Sequence, residues 1–218
     1  MRQGTAKLFG SVALLLALAG CQNTYYDAME KIGYPKRDIL VDNIEDTQVA
    51  QEEVQQQFTS ALEQFRSVIT FNGDNLEELY KKLDSEYRGS VKAADKVRSR
   101  IRSVKNVSEA LFTEWEEELE LYSDASLRRS SARKLKDTRR QYTRMVASLE
   151  KAEVRMQPVL DVFQDQTLFL KHNLNAVAVS SLKGEFNSVK ADIDRLIKEM
   201  QTSIAESRRF VEQLNRES

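Results

Sequence analysis

From Leu76 to Tyr122 apolar residues recur at intervals of three, four or seven for about 47 residues, with no proline among them. Leu76, Tyr80, Leu83, Tyr87, Ala94, Val97, Ile101, Val104, Leu111, Trp115 and Tyr122 carry the pattern. That period lines one face of an α-helix, whereas a strand would scatter the same residues over both faces. A helix of this length is about 70 Å long. Gly89 is its one weak interior position, costing about 1 kcal/mol relative to Ala. The chain has only 7 Gly and 2 Pro in 218 residues. A sandwich, barrel or doubly wound sheet of this size needs a turn every ten or so residues, so these architectures are excluded.

The same period marks three further helices. Leu40, Ile44, Val54, Phe58, Leu62, Phe65 and Ile69 predict one over Lys36 to Thr70, opened by Pro35. Asn72, Gly73, Asp74 and Asn75 stop it, and Asn75 is placed to cap the long second helix. After a polar break at Ser123 to Ser126, Leu135, Tyr142, Met145, Leu149, Ala152, Met156, Val159, Phe163 and Leu170 predict a third, ending near Asn173 or Asn175. Pro158 falls inside it. Proline removes a backbone donor and clashes with the preceding turn, so a kink near Arg155 is expected, not a stop. The last helix, Ala176 to Asn215, uses Leu182, Phe186, Val189, Ile193, Leu196, Met200, Ile204, Val211 and Leu214.

Loops of about four residues cannot cross the length of such helices, so neighbours run antiparallel. The expected fold is all-α: an elongated antiparallel helical bundle of about four long helices, with left-handed coiled-coil packing along a 3.5-residue seam. Charge supports the pairing independently. Asp38 to Gln64 holds seven acidic residues and no basic one, while Lys81 to Lys105 holds nine basic and three acidic. Folding at Gly73 sets Asp42 and Glu45 against Lys105 and Arg102. At the next turn Glu114, Glu116, Glu117, Glu118 and Glu120 face Arg128, Arg129, Arg133, Lys134 and Lys136. Each exposed pair is worth only about 0 to 1 kcal/mol, yet opposed runs select register.

The first residues are of a different kind. Arg2 and Lys7 form a short positive region, Leu8 to Leu18 an uncharged apolar one, and Leu18, Ala19, Gly20, Cys21 close it. About eleven apolar residues are too few to cross a bilayer core, which takes roughly twenty in a helix. The segment reads as an export signal, residues 1–20, removed from the mature chain. Its end resembles the bacterial lipobox, in which the Cys sulfur takes a diacylglyceryl group. Cys21 is the chain's one cysteine, so its modification leaves no thiol to be oxidised outside the cytoplasm. Three acyl chains, the usual product of that pathway, anchor a protein stably. Gln22, where enterobacterial lipoproteins kept at the inner membrane tend to carry Asp, favours the periplasmic face of the outer membrane. Residues 21–35 form a membrane-proximal tether, in which Tyr25 and Tyr26 either meet lipid headgroups or pack on the bundle base. Residues 36–218 form the single bundle domain.

Removing Arg2 and Lys7 leaves 31 basic against 34 acidic residues, a net charge near −3. That balance and export both argue against nucleic acid as a partner. One His and one Cys cannot supply a zinc site or the paired Glu-x-x-His motifs of a di-iron bundle. Gly33, Gly73, Gly89 and Gly184 are isolated and make no phosphate loop. His172 has no nucleophile elbow near it and suits a helix C-terminus, where its charge meets the dipole. Carboxylates on solvated helix faces lack the cleft of a glycosidase. No catalytic, cofactor-binding or metal-ligating residue is assigned, and the chain is expected not to be an enzyme.

Tyr34 to Val41 shortly after the lipobox, Ala110 to Leu119, and Phe169 to Asn175 together resemble a family of uncharacterised proteobacterial lipoproteins catalogued only as a domain of unknown function. The resemblance covers nearly the whole mature chain and implies a one-domain helical architecture in the envelope, with no activity to carry over. Two functions fit. One is a non-enzymatic, lipid-anchored periplasmic scaffold or adaptor that binds an envelope protein or the cell wall, or self-associates. The other is a regulatory or ligand-sensing subunit that modulates an envelope enzyme through helix rearrangement. An exposed apolar stripe favours the first and a buried polar cavity the second. Counting helix lengths puts the Ser123 to Ser126 turn on the membrane side. The far tip then gathers Asn72, Asp74, Asn75, Lys171, His172, Asn173 and Asn175 as a polar cluster for partner contact, unless these Asn residues serve only as helix caps.

Overall fold

A computed structural model describes residues 25 and 26, 28–71 and 75–216. Residues 1–20, read above as an export signal, Cys21, Asn72, Gly73 and Asp74 lie outside the described residues. Five helices carry the fold: α1 Lys36–Ile69, α2 Leu76–Leu119, α3 Ala125–Val154, α4 Met156–His172 and α5 Ala176–Arg216. Residues 25 and 26 and 28–31 are also helical, and no strand occurs among the described residues. Gly33, at φ 89°, ends that short N-terminal segment. Its N–H donates to the Glu30 carbonyl at 2.9 Å and the next N–H, of Tyr34, to the Met29 carbonyl at 3.0 Å. This is the left-handed helix stop that glycine makes without strain.

The seam is heptad-spaced. In α1, Leu40, Thr47, Val54, Ala61 and Val68 form one row and Ile44, Gln51, Phe58 and Phe65 another, all fully buried. In α5 the rows are Leu182, Val189, Leu196, Ser203 and Phe210 beside Ile193, Met200, Ser207 and Leu214. Rows spaced by seven stay in contact with a partner helix only if the pair winds left-handedly. Pro158 interrupts the third predicted helix as expected. α3 ends at Val154, Arg155 keeps right-handed helical angles (φ −69°, ψ −19°), and α4 starts at Met156. The heptad row Leu149, Met156, Phe163, Leu170 continues across the break, so the packing surface survives it.

The described residues pack as two compact units. One comprises the chain up to Asn43 with Ser103–Arg139; the other comprises Ile44–Arg102 with Arg140–Ser218. In the second unit α1 and α2 run antiparallel, fixed by Lys96–Glu53 at 2.6 Å and Arg100–Asp46 at 2.9 Å. These pairs lie within about one turn of the register expected from Asp42, Glu45, Arg102 and Lys105. Arg98 reaches from α2 to Glu153 of α3 at 2.9 Å and Gln157 of α4 at 2.7 Å. Lys151 of α3 meets Glu199 of α5 at 2.7 Å. Phe163 of α4 packs against Phe58 and Phe65 of α1, with centroids 6.5 and 6.1 Å apart. A Cβ at Gly89 would stand 2.8 Å from the terminal amide of Gln57 of α1, which would have to shift. The Gln57 amide crosses α2 at that point to reach the carbonyl and carboxylate of Glu86.

In the first unit the start of α1, the end of α2 and the start of α3 pack together. Arg128 pairs with Glu120, as the facing runs predict, and Arg139, beyond the basic run named above, pairs with Glu116. The Arg139 guanidinium also lies 5.2 Å from the centroid of Phe112. Trp115, half-buried, donates its indole N–H to Ser131 Oγ at 2.8 Å. α2 stops at Leu119, three residues before the predicted end at Tyr122. There Asp124 Oδ1 accepts from the backbone N–H groups of Ser126 and Leu127 at 2.6 and 3.1 Å, so α3 starts at Ala125, inside the predicted break.

Candidate functional site

The α4–α5 turn holds four of the seven residues expected at the tip. Lys171 and His172 occupy the last turn of α4 and are exposed, as suits cations at a helix C-terminus. Asn173 Nδ2 donates to the Phe169 carbonyl at 2.9 Å, and Asn175 Oδ1 accepts the Ala178 N–H at 3.0 Å. On the α1–α2 turn, Asn75 accepts the Glu78 N–H at 3.3 Å and donates to the Glu78 carboxylate at 3.1 Å. Asn72 and Asp74 lie outside the described residues. Phe65, near the end of α1, packs 6.0 Å from Phe186 of α5, so both turns lie at the same end of the second unit. The three described Asn side chains therefore work on their own helix ends.

What the sequence reading missed at this place is apolar. Leu168, Phe169 and Leu174 are each more than two-fifths exposed and Val177 is 74% exposed. These exposed apolar side chains share one ten-residue stretch with Lys171, His172 and Asn173. Their spacing was a usable signal for two of them: Leu168 and Phe169 stand two and one residues before Leu170, so burying Leu170 turns them outward, while Leu174 follows the end of α4.

Two further polar places stand out. In the first unit Lys36 is buried and its ammonium lies 2.7 Å from Glu30 and 2.9 Å from Glu114. Burial pushes the Glu114 carboxyl up from its ordinary value, outweighing the opposing pull of Lys36, and the nearby Glu30 carboxyl adds to the rise. A lysine held between two carboxylates is an ion-pair group, and it ties the N-terminal segment to α1 and α2. In the second unit Gln51 of α1 donates to Ser203 Oγ of α5 at 3.1 Å. With Thr47 and Ser207 this makes a polar layer in the seam. Gln51 Oε1 and Ser207 Oγ are buried with no protein partner. Outside the layer, a shallow groove of about 420 Å³ between α1 and α5 is lined by Glu45, Gln48, Val49, Glu52, Arg208 and Glu212, among others. Arg208 spans it to Glu52 at 3.1 Å. No three His, Cys, Asp or Glu side chains among the described residues come together as a metal site.

The family profile described as "Protein of unknown function (DUF2959)" matches residues 25–214, most of the chain. The chain belongs to the DUF2959 family. No curated protein and no solved structure matches it. The DUF2959 match begins at the helical segment ahead of Gly33 and ends in the last turns of α5. It therefore takes in the buried Lys36, the polar layer and the α4–α5 turn, and leaves Cys21 outside. No helix among the described residues is long and apolar enough to cross a membrane.

Proposed function

We propose that this DUF2959 protein is a non-enzymatic scaffold or adaptor of the cell envelope, held by lipid on Cys21 at the periplasmic face of the outer membrane. It acts by binding another envelope protein or the cell wall. The observation that carries the reading is the exposed apolar surface at the α4–α5 turn. Leu168, Phe169, Leu174 and Val177 lie on helix ends stiffened by the Asn173 and Asn175 caps, and an apolar centre with a polar rim is how protein contacts are built. The lipobox and Gln22 supply the anchor and the membrane. Under this reading the tip cluster is a partner site in which His172 and Asn173 form the rim and Phe169 the centre.

A photo-crosslinker placed at Val177 in living cells tests it, read with and without the double change Leu168→Ser and Phe169→Ser. Each buried side chain of this size contributes about 1.5 to 3 kcal/mol. Because a little under half of each is exposed, the double change is expected to weaken capture by about ten- to a hundredfold. Undiminished capture by a variant of unaltered helicity removes the apolar centre from the site. His172→Ala with Asn173→Ala should cost less, because rim groups stay wet.

The polar layer supports a second reading, a regulatory subunit whose helices rearrange. Polar groups in a seam specify one register at a cost in stability. Two of the atoms in this layer are unsatisfied, which lowers the penalty for moving α5 against α1.

A further inference from the structure

We infer that one end of the first unit is a membrane-docking surface that lies against lipid headgroups beside the anchor. The inference rests on the reading of Cys21 as the lipidated residue, and it concerns a different surface from the partner site.

The end is defined by geometry. Lys36, the first residue of α1, meets Glu114 of α2 at 2.9 Å. Ile32 to Tyr34 precede Lys36, and the Glu120 to Asp124 turn follows Glu114. Because the two helices run in opposite directions, both turns lie beyond the ion pair on the same side. α3 leaves from that side as well, since Ser131 meets Trp115 and Leu127 stands four residues before Ser131. Two turns and the start of α3 thus lie together.

What they expose is apolar and amphipathic. Ile32 is 76% exposed and Leu121 is 82% exposed, with Tyr34, Tyr122 and Leu127 also exposed. Nothing in the packing of the unit asks for five such residues at its end, and the core it does have is covered elsewhere by Ile39, Leu40, Val104, Val107 and Phe112. Tyrosine with leucine and isoleucine is the composition of a membrane interface, where a ring carries one wet and one dry side. The carboxylates of the turn do not oppose this. Glu120 is paired with Arg128, and Asp124 is occupied in capping α3. Glu117 and Glu118 stand exposed on the last turn of α2 and hold the contact at headgroup depth.

The occupant follows from chain length. Cys21 and Tyr25 are four residues apart, which spans at most about 14 Å when fully extended. An acylated Cys21 therefore brings the first unit to the bilayer surface whatever the second unit does. An apolar end on a body tied that closely to lipid is covered by the lipid.

The test uses the mature, acylated protein reconstituted in vesicles of phosphatidylethanolamine and phosphatidylglycerol. A thioether at Cys21 leaves a single thiol when Leu121→Cys, Leu127→Cys or Lys134→Cys is made, and each is labelled with an environment-sensitive fluorophore. Lys134 is exposed on α3, seven residues and about 10 Å beyond Leu127. Labels at positions 121 and 127 should be blue-shifted and lose most of their emission to brominated lipid, at low and high salt alike, while the label at position 134 stays water-like. Water-like emission at 121 and 127 in acylated protein that floats with the vesicles overturns the docking surface and leaves the anchor standing. A blue shift without quenching means that protein covers the patch and overturns it too. A mature chain without acyl mass, whose Cys21 itself takes the label, overturns the anchor and the docking surface together, and mass spectrometry tells this outcome from the others.

Discussion

Leu149→Asp is expected to destabilise the second unit by about 4 kcal/mol or more, enough to unfold much of it at ordinary temperature. Leu149 is fully buried in the heptad row that runs from α3 through the Pro158 break into α4. A carboxylate there loses its water and gains no cation, and an unpaired buried charge is among the costliest changes a core can take. Burial raises the carboxyl's pKa above its unfolded value, so the folded form binds the proton more tightly. The deficit is therefore smallest below the unfolded pKa and grows as pH rises through the folded one. Urea unfolding followed by circular dichroism at acidic and neutral pH checks both the size and the sign. Glu117→Gln, on the exposed face of α2, should leave the same curve unchanged.

Phe163→Ala should cost about 3 to 5 kcal/mol in the same assay. The ring is fully buried and lies 6.5 Å from Phe58 and 6.1 Å from Phe65, so its removal opens a cavity between α4 and α1. The site lies in α4, beyond the interruption at Arg155, with α1 packed against it. Tilted and edge-on ring pairs add about 0.5 to 1.5 kcal/mol each beyond area. Phe163→Leu, which keeps most of the volume, should recover more than half of the loss. A loss below about 1 kcal/mol for the alanine variant would mean that α4 does not pack as described.

The helices were legible because their apolar period is long and their stops are chemical. Lys36, Asn75, the Pro158 kink and the start at Ala176 all fall where proline, asparagine and periodicity placed them. The period failed at Tyr122, which keeps the spacing of the second helix but stands exposed beyond its end, because spacing alone does not say what covers a side chain. It failed in the opposite direction at Lys36. A lysine after a proline reads as solvated, and only Glu114, 78 residues away, shows it to be buried. Thr47, Gln51, Ser203 and Ser207 are polar by type and occupy seam positions by place. At the α4–α5 turn Asn173 and Asn175 are caps, while the exposed Leu168, Phe169 and Val177 fall outside the apolar pattern from which the helices are read.

Whether the chain is held at a membrane by lipid on Cys21, as we propose, is read from the mass of the N-terminal peptide of the protein extracted from cell membranes. The expected peptide begins at Cys21 and carries a diacylglyceryl group on sulfur with a third acyl chain on its amine. A mature chain that begins at another residue, or a Cys21 with an unmodified thiol, would contradict the account.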